Sequence, residues 1–431
     1  MSKSFRILAG SALLLLLHSV TAAAEDRFIV TTLAPDLVML STDQGSYSNN
    51  SLVFTGPEGV LLVDTHHSSD AEFLKAFVEK LGLGSPRYII TTHRHVEHIG
   101  GNAVFGPDPI IVAHELVPEK LRSGTFLFSE YPPEAFPDIT FSDSLEISFN
   151  DEIIRLTNVG GSHDDNEIMV HFTKHGIAHV SSVVNGFNFP SVDGDGDVLQ
   201  FEPITRRLMT LLPKGTRLVS GHHGKAGGFD FVGTWDMLPA YADMMQSSVE
   251  IVRRGLDQGE TLEEMQEAGV LEEFDEYAGS YVDTNGWIEY IVDALTEPRE
   301  TRSDICKPLY EEWKKNGAKA AVDRYRSLLQ TSEREFDFNE YILMSIGSKL
   351  YSRGLYHDSV EFLDGSLETY PDAEYGFYTH FLAAKAAQKL SRQDSATTHC
   401  RESLRLNPDY SGAVQLMEEL TEKNSKIQMN R

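Results

Sequence analysis

The sequence predicts a layered α/β fold followed by an all-helical region, and three observations carry that expectation. Short apolar runs alternate with helix-period segments from Phe28 to about Val219. A dense histidine cluster directly follows one of those runs. Near the C-terminus, turn residues recur at a spacing of 37: Gly317 with Gly354, and Pro371 with Pro408. A chain of 431 residues exceeds one ordinary core, since domains hold about 100–150 residues. The expected division is a leader over 1–24, a catalytic α/β domain over 25–300 that turns helical from about 235, and a helical domain over 301–431.

The leader comes first. Lys3 and Arg6 make a positive start, and an apolar run from Ile7 to Leu17 follows. Ala22-Ala23-Ala24 offers small residues for cleavage. This is the pattern of a signal peptide, so the expected location is periplasmic or extracellular, with a retained membrane anchor as the other reading. No later stretch approaches the roughly 18 apolar residues of a spanning helix, so no membrane span is expected after leader removal.

Leu61-Leu62-Val63 and Tyr88-Ile89-Ile90 read as buried strands. Between them, Ser68 and Ser69 can cap a helix whose Phe73, Leu74, Phe77, Val78 and Leu81 fall at helical spacing, and Gly82 and Gly84 end it. Gly56-Pro57-Glu58-Gly59 reads as a turn between strands. Residues from Asp143 to His163 read as strands about a turn at Asn150-Asp151. Glu167 to Phe172 and Ala178 to Ser182 form a pair about His175-Gly176. A helix from Pro203 to Leu212 leads to a strand at Arg217-Leu218-Val219. Strands and helices in this alternation, with chemistry at strand ends, describe layers. From Trp235 to about Leu295 the pattern is helical and acidic, and Pro298 opens a charged linker.

In the tail, Leu367-x-x-Tyr-Pro recurs as Leu404-x-x-Asn-Pro. Such a period suggests stacked helical hairpins. The tail resembles tetratricopeptide repeats, which run nearer about 34 residues, and the resemblance implies a protein partner for it.

Composition narrows the partners. The net charge is -28, from 37 basic and 65 acidic residues. Such a surface repels nucleic acid and anionic membranes, so no nucleic-acid partner is expected. Cys306 and Cys400 are the two cysteines, too few for a disulfide framework.

The chemistry sits in Thr92-His93-Arg94-His95-Val96-Glu97-His98, directly after the strand ending at Thr91. Three histidines and a carboxylate within six residues would be costly to bury without partners. They suit a metal ion that takes neutral nitrogen donors at about 2.0–2.1 Å, zinc above all. His93 and His95 can point one way from an extended end, and Glu97 and His98 come after the chain turns. Gly100-Gly101-Asn102 then allows close backbone approach. No Gly-x-Ser-x-Gly elbow and no phosphate loop is present. Asp193-Gly194-Asp195-Gly196-Asp197 lacks the glutamate of a calcium loop and reads as an acidic turn.

The histidine stretch resembles the His-x-His-x-Asp-His signature of the metallo-β-lactamase superfamily. Leu62-Val63-Asp64-Thr65 is similar to its upstream strand ending in a structural aspartate. Gly161-Ser162-His163 is similar to its third-histidine turn, and Val219-Ser220-Gly221-His222 to its closing Pro-Gly-His. The resemblance covers about Phe28 to Leu295. It implies a four-layer αββα sandwich holding one or two zinc ions. The first metal would take His93, His95 and His163, and the second Glu97, His98 and His222. Asp64 would serve catalysis by holding the histidine loop through hydrogen bonds.

Two departures bear on the second metal. Glu97 stands where the family has aspartate and reaches about 1.3 Å further, against a ligand tolerance of about ±0.2 Å. Ser182 stands where the family has a bridging aspartate, and a hydroxyl is a poor zinc ligand.

The resemblance implies a zinc-dependent hydrolase acting on a small molecule, in which metal-activated hydroxide attacks an ester, amide or lactam carbonyl. Glu97 would orient the water and accept its proton. Asn185, Asn188 and His67 are candidate substrate contacts. A β-lactamase is the narrower reading. The rival is a catalytically impaired binding protein of the same fold whose helical tail engages a partner.

Overall fold

In a computed structural model, the structure describes residues 27–42, 49–123, 131–192, 196–222, 232–279, 282–296, 304–332, 335–336, 338–373 and 375–429. The leader, Asp193 to Asp195, His223, Phe126, Phe128 and the linker from Pro298 lie outside them. The described residues up to 296, apart from Ser123, form one compact unit, and those from 304 onward belong to another.

The first unit holds two sheets. The seven-stranded sheet runs in sequence order: β1 (Phe28–Ala34), β2 (Leu37–Thr42), β3 (Asn50–Gly56), β4 (Gly59–Val63), β5 (Tyr88–Ile90), β6 (Ile110–His114) and β7 (Ile139–Phe141). Its first four strands pair antiparallel and β4 through β7 pair parallel. The second sheet holds β8 (Ser144–Phe149), β9 (Glu152–Asn158), β10 (Ile168–Phe172), β11 (Ile177–His179), β12 (Arg217–Val219) and β13 (Val232–Thr234). Within it β11 and β12 pair parallel and the rest antiparallel.

Side chains alternate across each strand, so an apolar run on a sheet covered on both sides feeds two cores. Leu52, Phe54, Leu61 and Val63 meet Leu156, Val170 and Phe172 between the sheets. Val53, Val60 and Leu62 turn the other way, onto Leu74, Phe77, Val78 and Leu81 of helix α1 (Ser68–Lys80) and its end. Behind the second sheet, Met169, Ala178 and Leu218 pack on the next helical layer. That layer holds α4 (Phe201–Leu211), α5 (Leu238–Gln258), α6 (Leu262–Glu267) and α7 (Thr284–Thr296). The order helix, sheet, sheet, helix is the expected four-layer sandwich. Two short helices complete the first unit: α2 (Val96–Ile99) and α3 (Val117–Ser123).

Several local expectations shift. Helix α1 starts at Ser68 with His67 as its N-cap and no side-chain cap, so Ser68 and Ser69 lie inside it. Strand β11 ends at His179 rather than Ser182, because positive φ at Ser181 (53°) turns the chain away. His171 and His179 are both buried. His175 is held by Asp36 and Glu152.

The second unit is all-helical among its described residues: α8 (Cys306–Asn316), α9 (Ala318–Thr331), α10 (Tyr341–Ser352), α11 (Tyr356–Thr369), α12 (Gly376–Lys389), α13 (Gln393–Leu406) and α14 (Ser411–Met429). Helices pair as α8–α9, α10–α11 and α12–α13. Gly317, Gly354 and Ser391 close these hairpins, 37 residues apart, each with positive φ. Cys306 and Cys400 are buried in different helices and are not joined in a disulfide. No helix among the described residues is long and apolar enough to cross a membrane.

Candidate metal centre

Strand β5 delivers its following residues to the edge of the sandwich. Thr91 N donates to Val112 O (2.9 Å), and Thr92 O accepts from Ile168 N (2.9 Å). The chain is thus pinned between both sheets where His93 begins. After His95 it folds into α2, whose first turn carries Glu97 and His98. His163 arrives on the turn after β9, closed by Gly161 N to Asp164 O (2.7 Å). His222 arrives after β12, held by Asn50 N to Gly221 O (2.9 Å) and Gly221 N to Ser181 O (2.7 Å). Gly221 has a steric reason. A Cβ there would stand 3.0 Å from His98 Cε1 and 3.2 Å from Ser182 Oγ.

Two groups of potential metal ligands result: His93, His95 and His163, and Glu97, His98 and His222. Within each group the ligand atoms lie within 4.8 Å of one another. The longer Glu97 therefore reaches the cluster. Of the predicted set, Asp64 stands apart beneath the loop. Its carboxylate accepts from Thr92 N (2.8 Å), Thr92 Oγ1 (2.8 Å) and His98 Nδ1 (2.7 Å). It is a support for the loop, with no place among the converging ligand atoms.

The histidine protons can be traced through their outer partners. His163 Nδ1 lies 2.8 Å from Ser191 O, which can only accept. His95 Nε2 lies 3.0 Å from Asp164 Oδ2, again an acceptor. Each ring therefore carries its N–H outward. The nitrogens that face each other at 3.0 Å, His95 Nδ1 and His163 Nε2, are both lone pairs and cannot bond one another. His93 Nε2 lies 3.0 Å from the same His95 Nδ1. In the second group His98 gives its Nδ1 proton to Asp64, leaving Nε2 as a lone pair 3.3 Å from His222 Nε2. Converging lone pairs call for a cation between them, and these residues fit one.

Electrostatics agree. Burial holds His93 well below the ordinary imidazole value and takes His98 down to about 3, so both are neutral donors. Burial opposes ionisation of Glu97, yet the histidines around it, His95 first, draw it down to about 2. It is the anion of the cluster.

Ser182 Oγ is buried and has no hydrogen-bond partner among the described residues. His67 is half-buried and lies within electrostatic range of Glu97 and His98. Asn185 and Asn188 are buried, Asn185 Oδ1 without a partner, and Asn188 lies against Gly279 with its carbonyl accepting from Tyr241 Oη (2.6 Å). His66 is buried and stacked on Phe28 at 5.0 Å.

Sequence reasoning missed three residues under the cluster: Arg94, Asp164 and Glu167, all buried. Glu167 Oε1 accepts from Ser182 N (3.0 Å). The available signal was adjacency, since Arg94 and Asp164 carry opposite charges and each neighbours a ligand.

A sequence-family model described as the Metallo-beta-lactamase superfamily matches residues 45–234. The 2,4-dinitroanisole O-demethylase subunit alpha of Nocardioides sp. (strain JS1661) is 28% identical over 215 residues, 48% of this chain. The chain spans 61% of the length of that relative. Among solved structures, a metallo-beta-lactamase from Pontibacter korlensis is 20% identical, with a TM-score of 0.44 over 51% of this chain and 99% of its own. The DIM-1 metallo-beta-lactamase is 16% identical, with a TM-score of 0.42 over 52% of this chain and 98% of its own. The chain thus carries a metallo-β-lactamase superfamily domain over residues 45–234, and its helical region lies outside that domain.

Proposed function

We propose that this protein is an exported, zinc-dependent hydrolase of a small-molecule substrate. The observation that carries the reading is the pair of inward-facing lone pairs on His95 and His163, repeated in kind at His98. His93, His95 and His163 would hold one zinc ion, and Glu97, His98 and His222 a second. When bound, zinc lowers the pKa of water from 15.7 to about 7 and polarises a carbonyl oxygen.

The chain's own residues supply the rest. Glu97 is the ionised carboxylate at the cluster and the group suited to accept a proton. Asp64 fixes the His98 ring, the bond from His163 to Ser191 O fixes that ring, and the Asp164 carboxylate beside Nε2 fixes His95. Ser182 offers a hydroxyl beside Gly221, in place of an anion that would bridge two metals.

An ester, amide or lactam carbonyl is the leading substrate class, with a β-lactam the narrower version. The name of the dinitroanisole relative adds a second reading, cleavage of an activated aryl ether. Export rests on the leader pattern of residues 1–24, and a protein partner for the helical tail on its 37-residue repeat.

Elemental analysis of purified protein tests the proposal. One or two zinc ions per chain are expected, reduced by His93→Ala/His95→Ala. Fewer than about 0.2 zinc ions per chain, unrecovered on adding zinc, would overturn it. Nitrocefin, aryl esters and 2,4-dinitroanisole then separate the substrate classes.

A further inference from the structure

We propose that Asp164 is a positioning residue for the His93–His95–His163 group: with Arg94 and Asn166 it forms a buried latch that joins the two ligand-bearing loops. It also fixes which ring nitrogen His95 presents. The inference rests on the metal reading above and deepens it.

The latch has two charge contacts and two hydrogen bonds. Asp164 Oδ2 lies 2.9 Å from Arg94 Nε and 3.0 Å from His95 Nε2. Asn166 Nδ2 donates to Asp164 Oδ1, and Arg94 N donates to Asn166 Oδ1 (2.9 Å). Asp164 and Asn166 are fully buried and Arg94 is 6% exposed.

Chain direction explains why the latch sits here. Successive residues of an extended segment point to opposite sides, so with His93 and His95 facing inward Arg94 must face into the protein. A guanidinium buried there requires an anion. Asp164 supplies it, and Asp164 is the chain neighbour of His163. The ion pair therefore links the backbone neighbours of all three ligands, and it closes only when the two loops stand at ligand spacing.

The second consequence is chemical. A carboxylate can only accept, so His95 must donate from Nε2 and keep its lone pair at Nδ1. Asp64 does the same for His98 with the opposite choice of nitrogen, holding Nδ1 and freeing Nε2. Each ligand group thus has its own buried carboxylate.

The test uses the full-length protein in a His222→Ala background, which leaves the His93–His95–His163 group as the metal site. Zinc affinity is measured by competition with a chromophoric chelator, and the visible spectrum of the cobalt(II) form is recorded. Asp164→Asn is expected to weaken zinc about 10–100-fold and to alter the cobalt spectrum. The variant Arg94→Gln/Asp164→Asn leaves no buried charge unpaired, so it guards against misfolding, and the same loss is expected. Unchanged affinity and spectrum in these variants, even with a lowered melting temperature, would overturn the latch and leave the metal reading standing. A His222→Ala background that binds no zinc would overturn the metal assignment of this group and the latch with it.

Discussion

Gly101 is where the fold and the site press hardest on each other, and Gly101→Ala measures that pressure. Its backbone, φ -90° and ψ -5°, is open to any residue, so alanine meets no conformational penalty. By itself the change would stabilise by about 0.4–1 kcal/mol, through a stiffer unfolded chain. The obstacle is space. The added Cβ would stand 2.3 Å from Thr65 O and 2.4 Å from Ala71 Cβ. Contacts between carbon atoms settle at about 3.5–4.0 Å, so the two segments must part by about 1 Å or more.

That parting pulls on bonds that hold the histidine loop. Thr65 N donates to His98 O (2.8 Å), and Gly101 N to His66 O (3.0 Å). Thr65 Oγ1 bonds Asn102 Oδ1 (2.8 Å). Overpacking typically costs about 1–3 kcal/mol, and each weakened bond adds about 1 kcal/mol. Less the unfolded-state gain, the expected loss is about 4 kcal/mol, or roughly 12 °C in Tm for a unit of this size. Thermal unfolding followed by circular dichroism reads the shift. Gly82→Ala is the control, with open space but φ of +67°. A Gly101→Ala protein within about 0.5 kcal/mol of the parent would refute the argument, because a change of that size is what substitutions that touch nothing usually give.

Asp64→Asn keeps the volume and suits the left-handed backbone at this position (φ 60°), but it replaces one acceptor oxygen with a donor. His98 must then move its proton to Nε2, the nitrogen facing His222. Zinc at the Glu97–His98–His222 group should weaken about 10–100-fold by isothermal calorimetry, and undiminished binding there would disprove the role given to Asp64. His175 carries a pH dependence. Its hydrogen bond to Asp36 (2.9 Å), partly opposed by burial and reinforced by Glu152, raises its pKa above 6.5. Its stabilising contribution is therefore full below 6.5 and lost as pH rises through the folded value. The stability gap between parent and His175→Gln, from urea titrations, should be largest near about pH 6 and close toward about pH 9; a constant gap contradicts it.

The legible parts of this molecule are those whose residue types leave little choice. Leu61 to Val63, Tyr88 to Ile90 and Arg217 to Val219 became β4, β5 and β12 because a sheet covered on both sides needs continuous apolar runs. His93, His95 and His98 stood out because so many imidazoles are costly without a common partner. Asn150 and Asp151 marked a hairpin, and both take positive φ. Arg94, Asp164 and Glu167 were illegible for the opposite reason. In a chain this acidic, charged residues read as surface, and only the meeting of distant loops buries them. The same holds for His66 and His179. Nothing local says that His66 will stack on Phe28, or that the chain after β11 will turn back toward His93.

Those buried charges bear on which ion this edge of the sandwich would favour. Asp64, Asp164 and Glu167 all lie beneath the histidines, with Arg94 as the buried cation beside them. Burial raises the Asp64 carboxyl to about 7 and that of Glu167 to about 8. Burial acts on Asp164 too, yet Arg94 and His95 hold it well below the usual range. The three bonds that Asp64 accepts belong to its ionised form, which burial disfavours and a nearby cation would favour, and the charge of Asp164 is offset by Arg94. An anion in this place would meet lone pairs and buried carboxyls. A divalent cation would meet neutral imidazoles above and carboxyls below, and its charge favours their ionised form. The overall charge of -28 is not the cause, since exposed acids are screened within about 10 Å at ordinary salt. The preference proposed for the site would come from a few acids taken out of water and placed one layer behind the ligands.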